Sequence, residues 1–80
     1  MNIYLFMENF DHIHIFKTNI QSAADKQILH ELLGNDEAIQ EWSVDTEDED
    51  CVLRVVTFTL NQYQIIDLLN SKGFLCCELI

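Results

Sequence analysis

From His12 to Ile20 the chain reads HIHIFKTNI, with Ile13 and Ile15 alternating against His12, His14 and Phe16. A two-residue period on β-branched and aromatic side chains predicts a strand. The next segment, AADKQILHELLG, sets Ala24, Ile28, Leu29, Leu32 and Leu33 at helical spacing. It predicts a helix that ends on Gly34 in a left-handed conformation. AIQEWSVD places Trp42 and Val44 on one side, and CVLRVVTFTL follows after the acidic run DTEDED. These read as two strands joined by a charged hairpin. NQYQIIDLLNSKG repeats the helical pattern through Ile65, Ile66 and Leu69 and stops at Gly73, and FLCCELI closes the chain as a short apolar strand.

Strand, helix, strand, strand, helix, strand is the order of an α+β, ferredoxin-like βαββαβ sandwich, in which a four-stranded antiparallel sheet carries two helices on one face. Proline is absent, the two glycines are Gly34 and Gly73, and no Gly- or Ser-rich linker interrupts the 80 residues. Residues 11–80 therefore read as one domain. Residues 1–10 read as an amino-terminal extension or an added strand, and Met7, which opens MENFDHIHIF and leads directly into the first strand, reads as an alternative start. The first strand carries apolar groups on both faces, Ile13 and Ile15 on one and Phe16 and Ile20 on the other. Helices cover only one face of such a sheet, so either residues 1–10 or a partner is expected on the second, and a homo-oligomer is one way to supply it.

Charge narrows the choice of partner. Four Lys and Arg against 14 Asp and Glu give a net charge of −10, which repels phosphate backbones and anionic lipid. Neither nucleic acid nor a membrane is expected. The apolar run Ile3 to Met7 has no basic residue before it and no small-residue cleavage site after it, so it does not read as a signal peptide. Cys51, Cys76 and Cys77 are odd in number and two are adjacent, which gives no disulfide framework and fits a reducing cytoplasm. There is no nucleophile with a base and an orienting group and no Gly-rich phosphate loop, so an enzyme is not expected. No catalytic, cofactor-binding or metal-ligating residue is assigned.

FKTNI before a helix, WSVDTEDED followed by VLRV, and LLNSKGF before the last strand together resemble a heavy-metal-associated domain, the module of copper chaperones and metal-pumping ATPases. The resemblance runs from about Asp11 to Ile80 and implies the same ferredoxin-like fold. It also implies a CxxC loop after the first strand that binds Cu(I) or Zn(II). At the matching positions this chain has Ser22 and Asp25, in QSAAD. A hydroxyl and a carboxylate are hard ligands, poor substitutes for the sulfur that Cu(I) prefers. Serine followed three residues later by an acid, ahead of an apolar run, instead resembles a capping box, with the carboxylate at the positive end of the helix.

The remaining candidates each have an ordinary reading. His12 and His14 share a side of the first strand, ~6.6 Å apart, near enough for one borderline metal ion. Two half-buried strand residues are the commoner case. His30, beside Glu31 and off the apolar stripe, reads as solvated. Cys76 and Cys77 point to opposite faces and do not converge on one ion, and His12 and Cys76 fall at opposite ends of their strands. Buried cysteine acting as a small hydrophobe accounts for at least one of the pair. DTEDED supplies five carboxylates in six residues without the Gly and terminal Glu spacing of a calcium loop. It reads as a solvated hairpin that shares one pole with Asp25 and the turn at Gly73 and Phe74. Two readings of function follow. One is a degenerate heavy-metal-associated domain acting as a small cytoplasmic interaction module, its acidic pole facing a basic protein surface. The other is a divergent metal-binding or metal-transport protein using His12 with His14, or Cys76 or Cys77.

Overall fold

A computed structural model of the chain describes residues 12–79, so the predicted extension or added strand at residues 1–10 lies outside the described residues. Six elements follow in the expected order: β1 (Ile13–Thr18), α1 (Ala23–Gly34), β2 (Ile39–Asp45), β3 (Val52–Thr57), α2 (Gln62–Asn70) and β4 (Cys76–Glu78). The strands form one antiparallel sheet in the order β2-β3-β1-β4, the ferredoxin-like arrangement.

Alternation along the strands decides which face each side chain joins. In β1, Phe16 and Thr18 are buried, and in β3 the buried set is Leu53, Val55 and Thr57. Of these, Phe16, Leu53 and Val55 meet Leu29 and Leu33 from α1 and Ile65 and Leu69 from α2 in a single apolar cluster with Ile20, Ile39 and Phe74. Both helices therefore cover the same face of the sheet. Each Leu, Ile or Phe removed from water in that cluster contributes about 1.5–3 kcal/mol, which makes this small cluster the main source of stability. Trp42, Val44 and Cys76 pack against its edge.

Two buried threonines tie the ends of the sheet to its loops. Thr18 Oγ1 donates to the Cys51 carbonyl at 2.6 Å and accepts from the Ile20 amide at 3.2 Å. Thr57 Oγ1 donates to the Ala38 carbonyl and accepts from the amides of Thr59 and Leu60, both at 3.3 Å. With these bonds made, no buried side-chain N or O among the described residues lacks a partner.

The structure corrects several details. Gly34 is the last helical residue and does not adopt a left-handed conformation. The next residue does the capping instead: Asn35 stays right-handed, its backbone N–H donates to the Leu33 carbonyl, and its Nδ2 donates to the Glu31 carbonyl at 3.0 Å. Ala24 is exposed and Ile28 is 37% exposed, so the buried stripe of α1 reduces to Leu29 and Leu33, with Leu32 half-buried. The first strand stops at Thr18, although Ile20 beyond it is fully buried. Gly73 fits its expected role at φ +86: the Phe74 amide reaches back to the Leu69 carbonyl at 3.1 Å, and Phe74 turns into the core.

Candidate functional site

The loop between β1 and α1 holds the positions where a metal-binding pair of thiols would stand. Ser22 is the N-cap of α1, with extended backbone (φ −83, ψ 165), and its Oγ accepts from the Asp25 amide at 3.0 Å. Asp25 returns the contact, its Oδ2 accepting from the amides of Gln21 at 3.1 Å and Ser22 at 3.2 Å. Both halves of a capping box are thus present, as the spacing of the two residues predicts. The Gln21 amide foremost, then the Ser22 amide, holds the Asp25 carboxyl below the usual carboxylate range. Helix α2 starts the same way, with Asn61 and Gln64 exchanging bonds at 2.9 Å. Its resemblance to α1 shows that the Ser22 and Asp25 arrangement is an ordinary way to begin a helix.

Opposite this loop lies the hairpin between β2 and β3. Its carboxylates have unequal work. Asp45 Oδ1 accepts from the Glu47 amide at 3.1 Å and Asp48 Oδ1 from the Asp50 amide at 2.8 Å, two side-chain turns that shape the loop. Asp50 lies 3.4 Å from Lys17 Nζ. Glu47 and Glu49 are exposed and make no side-chain hydrogen bond or ion pair among the described residues. Cys51 closes the loop with φ +46, a conformation that costs a residue with a Cβ roughly 1–2 kcal/mol. It is held there because its side chain is buried, its amide donates to Asp48 at 2.9 Å, and its carbonyl takes the Thr18 hydroxyl.

The Thr18 amide also donates to the Asp50 carbonyl at 3.0 Å, which fixes the end of β1 beside the hairpin. On the other side of β1, the Leu75 amide donates to Asn19 Oδ1 at 2.9 Å. The α1 N-terminus, the hairpin and the turn into β4 therefore gather at one end of the sheet, the shared pole expected from the topology. Leu75, 69% exposed, adds a large apolar side chain to it.

The histidines and thiols are not brought to that pole as a set. His14 lies on the helix-covered face, near-parallel to the Phe16 ring at 6.4 Å, while the His12 ring meets Phe58 edge-on at 4.5 Å. His30 is exposed, its ring 6.1 Å from Trp42. Thr18 pairs with Cys76, which puts Cys76 at the far end of β1 from His12. Cys76 is half-buried against the core and Cys77 is exposed, so the adjacent thiols face apart. Burial, and then the neighbouring Cys77, pushes the Cys76 thiol up to about 12. At neutral pH it remains a thiol and a poor ligand. Among the described residues, no group of three or more His, Cys, Asp and Glu is placed to hold a metal ion.

Thr18, Asn19, Cys51 and Leu75 organise this end of the molecule, and sequence spacing did not mark them. Their bonds join residues up to 56 positions apart, and only the strand pairing brings them together. Among the described residues, no helix is long and apolar enough to cross a membrane. No family model, curated protein or solved structure matches the chain.

Proposed function

We propose that this chain is a degenerate heavy-metal-associated domain whose loop after β1 has exchanged metal ligation for helix capping, and that it serves as a small cytoplasmic protein-interaction module. The observation that carries the first half is the pair Ser22 and Asp25. Both side chains are spent on backbone amides of their own loop, at 3.0 to 3.2 Å. Binding a soft ion there would break the cap and offer the ion only hard oxygen donors. No catalytic step is assigned.

The second half rests on the pole itself. Glu47 and Glu49, exposed and without a side-chain partner among the described residues, lie in a hairpin clamped by Thr18 and Lys17, and the exposed Leu75 lies at the same end. In a chain of net charge −10, such a pole attracts a basic surface, and an apolar side chain at its edge lets contact exclude water. The matching partner is a protein surface bearing Lys and Arg around a small apolar patch.

The test is an NMR titration of the 15N-labelled chain with a Lys-rich peptide containing one Leu. Shifts centred on Thr46 to Asp50 and on Leu75, fading between about 50 mM and 500 mM salt, are the expected result. Shifts scattered evenly over every acidic residue, or none, would remove the pole from the account.

A further inference from the structure

Helices α1 and α2 both cover one face of the sheet, and the other face carries no helix or strand among the described residues. The strand register lays out its residues in three cross-strand rows. Glu41, Val56 and Ile13 make the first, and Ser43, Arg54 and Ile15 the second. Leu79, whose amide donates to the Ile15 carbonyl at 3.0 Å, extends the second row onto the β4 side. Asp45 and Val52 start the third, and Lys17 and Cys77 complete it across β1 and β4. The face is apolar along β1 and β3 and acidic along β2. A shallow depression bounded by Ile15, Val52 and Arg54 lies near its middle.

Its charge sets it apart from the rest of the surface. Both ion pairs among the described residues belong to it, Arg54 with Glu41 at 3.4 Å and Lys17 with Asp50 at 3.4 Å. Two of the chain's four basic residues are therefore on this face, each already matched to an acid. A second copy of a chain with net charge −10 is repelled from the other surfaces but meets a nearly neutral, apolar surface here. Neither cation would enter the contact unpaired, the condition that makes a buried charge most costly.

We propose that this face is a self-association surface on which two copies stack, β2 of one over β4 of the other. Two limiting symmetric arrangements exist. A two-fold axis across the strands sets β2 over its own copy, with Glu41 and Asp45 facing the same acids. An axis along the strands sets β2 over β4 and β3 over β1, so that Asp45 falls near Lys17 of the second copy and Arg54 falls over its Ile15. Charge selects the second. Three strands of six or seven residues and a β4 of three give a flat footprint of roughly 340 Å² per copy. That is below the ~800 Å² per partner of a standard interface, so the dimer is weak, with a dissociation constant between about 10 μM and 1 mM.

Sedimentation velocity on the full chain, from about 1 μM to about 1 mM, tests this. A monomer–dimer equilibrium is expected, tightening as salt rises from about 50 mM to 500 mM because the repulsion between the two net charges is screened. That sign is opposite to the salt dependence of a basic partner at the acidic pole, so the two interactions fail separately. Ile15→Glu should weaken the dimer at least ~10-fold, and Leu79→Glu, at the margin where folding is least affected, should also weaken it. Leu75→Glu, at the pole, should leave it unchanged. A monomer across the whole range, or a dimer indifferent to both Ile15→Glu and Leu79→Glu while the variants remain folded, overturns the proposal. The first of those results would give the face to residues 1–11 or to another protein.

Discussion

Replacing Ser22 by Ala removes one atom, Oγ, and with it the 3.0 Å acceptor of the Asp25 amide. Asp25 still holds the amides of Gln21 and Ser22, so half of the capping box survives. Loss of an N-cap acceptor costs about 0.5–2 kcal/mol, typically ~1. For a domain of this size, each kcal/mol moves the melting temperature by about 4–8 °C, so Ser22→Ala should lower it by roughly 6 °C. Circular dichroism at 222 nm during heating reads this directly, and urea unfolding with an unchanged m value checks that the loss is in stability. Asn61→Ala at the matching cap of α2 should behave alike. The pH dependence adds a second constraint through Asp25. Its carboxyl titrates lower in the folded chain than in the unfolded one, because the Gln21 and Ser22 amides favour the charged form. The stabilisation is therefore complete above the ordinary carboxylate range and is lost as pH falls through the lowered folded value. Asp25→Ala should be less stable than the parent at pH 7, and the two should converge in acid. A Ser22→Ala chain as stable as the parent, or an Asp25→Ala deficit that persists unchanged at low pH, would refute the capping account of this loop.

Thr57→Val keeps the shape of a buried side chain but leaves the Ala38 carbonyl and the Thr59 and Leu60 amides without their partner. It should cost about 1–3 kcal/mol in urea unfolding, and a neutral result would mean that water replaces the hydroxyl. Iodoacetamide followed by peptide mapping should modify exposed Cys77 first and Cys76 and Cys51 much later, since Cys76 is half-buried with its thiol pushed up to about 12 and Cys51 is buried. Equal rates at Cys76 and Cys77 would contradict this. Installing thiols with Ser22→Cys and Asp25→Cys together should create Zn(II) or Cu(I) retention while lowering the melting temperature, measured by mass spectrometry and by heating. A folded double variant that holds no metal would break the correspondence between this loop and a metal-binding CxxC loop.

The elements could be read from the chain because they are encoded locally. Two-residue alternation around Ile13 and Ile15, helical spacing of Leu29 and Leu33, and the Ser22 and Asp25 pair each act within a few residues, and each forms the expected structure. The end of α1 was harder to place. Gly34 suggested a left-handed stop, yet the Asn35 side chain satisfies the Glu31 carbonyl and lets the glycine stay helical. Helical spacing marks Ala24 and Ile28 as readily as Leu29 and Leu33, but spacing alone does not say which of them the fold buries, and Ala24 and Ile28 are exposed. Separating His12 from Cys76 needed only strand direction, which topology supplies. The division of labour in DTEDED was not legible. Which acids shape the turn, which one meets Lys17 and which stand free depends on the folded path of the hairpin.

The most direct test of the central claim is anaerobic titration of the reduced chain with Cu(I) and with Zn(II), read by native mass spectrometry. The capping bonds of Ser22 and Asp25 and the dispersed histidines and thiols predict a chain that retains neither ion. One ion held tightly per chain would contradict the account and return the search to His12, His14, Cys76 and Cys77 as ligands.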